Sequence, residues 1–73
     1  MLTIGQKIME CRENFNMSQE ELAMRIRKSL KMVQQLEENQ MIPDQDTLFN
    51  LSSVLDIPIS DLIDCCNEQK ILH

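Results

Sequence analysis

Apolar residues at Ile4, Ile8, Cys11 and Phe15, at intervals of four, three and four, fall on one face of a helix. Thr3 ahead of them is a candidate N-cap, and Asn16 behind them tolerates the left-handed conformation in which helices often end. A second helix is expected over about Gln19 to Ile26. Ser18 followed three residues later by Glu21 has the form of a capping box, and Met17 can staple onto Leu22. Its buried face is Leu22, Ala23 and Ile26, where the small Ala23 lets another helix cross closely. Ser29 supplies a further N-cap only three residues after Ile26, so a third helix follows at once, with Val33 and Leu36 inward and an exit near Asn39.

Pro43 and Asp44 break this pattern and open a fourth helix with the stripe Leu48, Leu51, Val54 and Leu55. The stretch Asp56 to Pro58 ends it, and a fifth, short helix is expected from Ile59 to Cys66, presenting Ile59, Leu62 and Ile63. The last seven residues, "NEQKILH", read as a frayed or partner-dependent tail. With no alternating β-branched run longer than four residues, the chain is predicted to be all-α: one helical domain over residues 1–66 and a C-terminal tail over 67–73.

Charge sharpens this picture. Residues 1–40 hold six Lys and Arg against six Glu, whereas residues 41–73 hold Lys70 against six carboxylates, so the whole net charge of -5 belongs to the C-terminal part. Four of the seven cations, Arg25, Arg27, Lys28 and Lys31, crowd the junction of the second and third helices. A basic joint on an acidic molecule is a candidate anion-binding surface. A core of Leu, Ile, Val and Met with two phenylalanines is modest for 73 residues, so self-association would add usefully to stability.

The candidate chemistry is non-enzymatic. The chain has one Gly, one His, no phosphate-cradling loop and no Ser, His and Asp constellation. Cys65, Cys66 and His73 fall one ligand short of a structural zinc site, so no metal or cofactor is expected. Three cysteines with no secretory signal and no membrane-length apolar run imply reduced thiols and a soluble, cytoplasmic protein, with Cys11 acting as a small core hydrophobe.

The stretches "IGQKIMECRE", "MSQEELAMRI", "VQQLEEN" and "LSSVLDIPISDLI", in register over residues 4 to 63, resemble the phage repressor and Cro (XRE-like) family of helix-turn-helix DNA-binding proteins. The resemblance implies a five-helix, lambda-repressor-like fold and a repressor-type regulator whose third helix enters the major groove. On the matching positions it implies an ion pair of Arg12 with Glu37; phosphate contacts from Gln19, Arg27, Lys28 and Ser29; and base-edge contacts from Lys31 and Gln35, with Leu30 and Gln34 beside them. Met32 is expected on the same outward surface. The implied partner is double-stranded DNA with a palindromic operator, bound by a homodimer through Ile59, Ile63, Ile71 and Leu72, with no membrane and no small-molecule substrate. Two positions depart from the family pattern: Arg27 stands where Gly is usual, and Lys28 where a small or apolar residue is usual. The competing reading is an interaction module that binds another regulator through Leu30 and Met32.

Overall fold

The computed structural model describes residues 3–71, with side chains described as far as Cys66. Five helices follow one another: α1 (Ile4–Asn14), α2 (Gln19–Ile26), α3 (Leu30–Glu37), α4 (Gln45–Leu55) and α5 (Ile59–Ile71). Every regular element among the described residues is helical, as expected for the all-α class, and no described helix is long and apolar enough to cross a membrane.

Local chemistry sets the starts. Thr3, Ser18, Ser29 and Asp44 all sit in extended backbone, and each side chain accepts a hydrogen bond from the N–H three residues on. The reciprocal capping box occurs at α1, where Gln6 Oε1 accepts from the Thr3 N–H at 3.1 Å, and not at α2. Glu21, expected to close the box with Ser18, turns its carboxylate to Arg25 at 2.8 Å, the i,i+4 partner one turn away. The exits are left-handed at Asn16, Arg27, Asn39 and Asp56, with φ of 55°, 60°, 59° and 55°. For Arg27 that conformation costs about 1 kcal/mol relative to Gly.

The core is built from Ile4 and Ile8 of α1, Leu22, Ala23 and Ile26 of α2, Val33 and Leu36 of α3, Leu51 and Leu55 of α4, and Leu62 and Cys66 of α5, joined by Met17 and Ile57. Cys11, Leu48 and Val54 pack on its margin, and burial raises the Cys11 thiol pKa above its ordinary value. Two core expectations are corrected. Phe15 is 52% exposed: the backbone leaves the helix at that residue, and Met17 is the side chain that turns inward. Met32, expected to face outward, packs against the core from α3. The fifth helix also continues past Cys66 to Ile71. Residues 67–71 contain neither Gly nor Pro, and Glu68, Gln69 and Lys70 are good helix formers, so nothing local stops it.

One residue sets how closely α1 meets α3. A Cβ on Gly5 would collide with the backbone carbonyl oxygen of Glu37 and lie 2.6 Å from that of Leu36. The Gly5 N–H donates to Asn39 Oδ1 at 3.0 Å, so α1 is fastened to the exit of α3 at the same point. In an ordinary helix interior, Gly→Ala stabilises by about 1 kcal/mol. Here Gly5→Ala is expected to destabilise by about 1 to 3 kcal/mol, because rigid backbone must yield. Urea denaturation of the two proteins checks the sign, which is opposite for a free helix.

Candidate nucleic-acid interface

The C-terminal end of α3 is held from below by Glu37, whose carboxylate is one of the few buried charges. Arg12 of α1 meets it as a fork, Nε donating to Oε2 at 2.7 Å and Nη2 to Oε1 at 3.2 Å. Gln19, the first residue of α2, donates from Nε2 to Oε1 at 2.9 Å. Arg12 also donates from Nη1 to the Met17 carbonyl at 2.7 Å, so one guanidinium ties the turn between α1 and α2 to the end of α3. The side chains of Arg12 and Glu37 are only 11% and 4% exposed. A pair this dry adds little net stability against its desolvation, but it tolerates few alternative arrangements.

With the Val33, Leu36 and Glu37 face sealed, the other face of α3 is open. Leu30, Lys31, Gln34 and Glu38 are exposed and Gln35 is half-buried. Lys31, Gln34 and Gln35 make no side-chain hydrogen bond or ion pair among the described residues. Three polar side chains at i, i+3 and i+4 therefore form one donor-rich strip over a rigid base.

The other sequence-predicted residues divide into free and engaged. Arg27 is exposed and its side chain makes no ion pair among the described residues. Ser29 caps α3 through its hydroxyl, accepting from Met32 N–H at 3.1 Å, beside the positive end of that helix. Lys28 lies 3.5 Å from Asp46 of α4 and is partly covered. Gln19 has committed one amide hydrogen to Glu37, which leaves it a second. Ile59 is half-buried and Ile63 exposed on α5; Ile71 ends the helix with its side chain not described, and Leu72 lies outside the described residues, as does His73. Among the described residues no group of His, Cys, Asp and Glu is arranged to hold a metal ion.

Two further positions carry structural weight: Asn50, which was not singled out from the sequence, and Gly5, which lies in the family-like stretch but was given no packing role there. Asn50 of α4 donates from Nδ2 to the carbonyl of Ile26, the last residue of α2, at 3.2 Å, which braces the end of α2 against α4. Gly5 makes the close approach described above. The only Gly of the chain, placed inside a helix where it costs about 1 kcal/mol, was a readable signal for it. Nothing local in the sequence marks Asn50.

A family model described as helix-turn-helix matches residues 8–62 of the chain, which is 55 of its 73 residues. No curated protein and no solved structure shows a significant match.

Removing one partner of the buried pair strands the other. Glu37→Ala is expected to destabilise the protein by about 3 kcal/mol. That is a large part of the roughly 4 to 11 kcal/mol available to a chain of this size. Arg12→Met with Glu37→Leu, which removes both charges, should recover most of the loss. A double-mutant cycle by chemical denaturation measures both, and equal losses in the single and double variants would contradict the burial argument.

Proposed function

The chain belongs to the Cro/C1-type helix-turn-helix family of DNA-binding regulators, and from that premise we propose that it is a sequence-specific, repressor-type regulator acting as a homodimer on a palindromic operator. The observation that carries the reading is the unengaged strip of Lys31, Gln34 and Gln35 on a helix clamped at its far end through Glu37. Lys31 donates to guanine O6 or N7, Gln35 pairs with the N6 and N7 edge of adenine, and Leu30, 37% exposed, meets a thymine methyl, with Gln34 alongside. Arg27, Lys28 and Ser29 hold phosphates at the start of α3, and the second amide hydrogen of Gln19 reaches another at the start of α2.

The acidic neighbours of this face are partly neutralised. Glu37 is buried against Arg12 and Glu21 is paired with Arg25, which leaves Glu20 and Glu38 as the exposed carboxylates of α2 and its flank of α3. The interaction-module reading is weakened because one of its two anchors, Met32, is turned toward the core. Ile59 and Ile63 of α5 contribute to the dimer contact on this reading; Ile71 and Leu72 are assigned to it by the family resemblance alone. This contact sets two copies of α3 about one helical turn of DNA apart, roughly 34 Å.

Random-oligonucleotide enrichment on the purified protein at two salt concentrations tests this. Lys31→Ala and Gln35→Ala are expected to change which base pairs are enriched, each weakening its preferred position by about 1 to 3 kcal/mol. Arg27→Ala and Lys28→Ala should weaken all duplexes alike and flatten the log Kd against log salt slope by about one per cation removed. Identical enriched sequences for wild type and the Lys31 and Gln35 variants would defeat the proposed readout.

Arg27 adds a separable prediction, because its left-handed backbone is a local cost that Gly would not carry. Arg27→Gly should raise stability by about 1 kcal/mol, a rise in Tm of roughly 4 to 8 °C for a chain this small, while lowering DNA affinity. Thermal melting and DNA titration of the same variant read the two effects with opposite signs.

A further inference from the structure

A cleft of about 410 Å³ opens between the C-terminal end of α2 and the flank of α4, lined by Arg25, Arg27, Lys28, Asp46, Asn50 and Ser53, with Ile26 and Val54 at its apolar side. It is wide enough for a small ligand, is open to solvent on one side and has a mostly polar lining. Three of the seven Lys and Arg residues of an acidic chain converge here from one helix end and its turn. Arg25 engages Glu21 through Nε and Nη2, at 3.1 and 2.8 Å. Arg27 has no side-chain partner among the described residues and is held in the cleft wall by a strained backbone. Arg27 thus carries a backbone cost that Gly at this position would not.

The cleft also contains its own anion. Asp46, 75% exposed, reaches Lys28 at 3.5 Å, a long contact of the kind that contributes little to stability. Asn50, fixed through Nδ2 on the Ile26 carbonyl, and the exposed Ser53 hydroxyl add polar groups on the α4 side. The open guanidinium fork of Arg27, the Lys28 ammonium, an amide and a hydroxyl around one opening match a tetrahedral oxyanion, with Arg25 adding positive charge from its pair with Glu21.

We propose that this cleft binds the phosphate group of a small phosphorylated metabolite, with Asp46 as a built-in competitor that the phosphate displaces from Lys28. Binding itself does not depend on the DNA-binding reading. Its regulatory consequence does: an occupant that takes Arg27 and Lys28 withdraws both from the DNA backbone, so the ligand lowers DNA affinity.

The test is a titration of the full, isotope-labelled chain without DNA, using inorganic phosphate, glycerol 3-phosphate and, at matched ionic strength, sodium chloride. Expected are saturable shifts of the Asn50 side-chain amide and the Arg27 Nε–H with glycerol 3-phosphate, at a Kd of about 1 mM or tighter. Asp46→Asn should tighten binding by up to about fivefold, the value of one exposed ion pair. Arg27→Gly, which keeps the backbone conformation, should weaken it by a similar factor or more. Shifts that follow chloride equally, fail to saturate, or ignore both substitutions overturn the proposal. A parallel titration with duplex DNA separates the two sources of phosphate. Duplex that moves Asn50 while glycerol 3-phosphate does not would make the cleft a seat for the DNA backbone and overturn the small-ligand assignment, leaving the DNA-binding reading intact.

Discussion

The carboxylate of Glu37 is the point on which the arrangement of the first three helices turns. It stands at the last residue of α3 and is met by Arg12 from α1 and Gln19 from α2, while its backbone carbonyl is the surface against which Gly5 packs. A buried carboxylate left without donors would be far more costly than the contacts it makes, so any movement of α3 that separates it from Arg12 is resisted steeply. The same guanidinium holds the Met17 carbonyl, so the turn leading into α2 cannot shift independently. Apolar packing of Val33 and Leu36 keeps α3 on the domain, but such packing is non-directional. The directional bonds at Glu37 fix its rotation, and hence which side chains face solvent.

A division of labour along α3 follows. Its C-terminal end is fastened by charge and by the Gly5 and Asn39 bond, while its N-terminal end carries the cation-rich turn and the Ser29 cap. The remaining acidity lies mainly on residues 41–73, where Asp44 and Asp46 start α4 and Asp56, Asp61 and Asp64 follow. Among the described carboxylates of that segment, Asp46 is ion-paired with the basic turn, through Lys28. Glu20 and Glu38 are the exposed carboxylates that remain on α2 and at the end of α3.

The starts of α1 to α4 were legible because each depends on a hydrogen bond between residues three apart. Ser18, Ser29 and Thr3 announced α2, α3 and α1, and Asn16 and Asn39 the exits of α1 and α3, without knowledge of the tertiary fold. The Arg12 and Glu37 pairing, 25 residues apart, came from family resemblance rather than periodicity. What stayed hidden was decided between elements. The spacing that included Phe15 in the α1 stripe could not reveal that the backbone leaves the helix one residue too early. Met32 sits at the border of the α3 apolar face, where periodicity does not choose between inside and outside. Glu21 had two partners in reach, the N–H of Ser18 at the α2 N-terminus and the Arg25 guanidinium, and local sequence does not choose between them; it bonds Arg25. The cleft beside α4 depends on α2 and α4 meeting around the Asn50 to Ile26 bond, which no local pattern encodes.

Selectivity on the DNA-binding reading comes from these magnitudes taken together. Each phosphate neutralised contributes to every duplex equally, and a module with three cations near α3 gains only a small salt-dependent term. Each bidentate base contact adds about 1 to 3 kcal/mol at the correct pair alone. A strongly basic surface would raise non-specific affinity along with the specific one and leave their ratio unchanged. An acidic chain with a local basic turn keeps the general term low, so discrimination rests on the few side chains of α3. Such readout is effective only if those side chains arrive at the groove in one orientation. Few electrostatic contacts therefore demand a rigid reading helix, and the buried fork at Glu37 provides that rigidity where bulk charge does not.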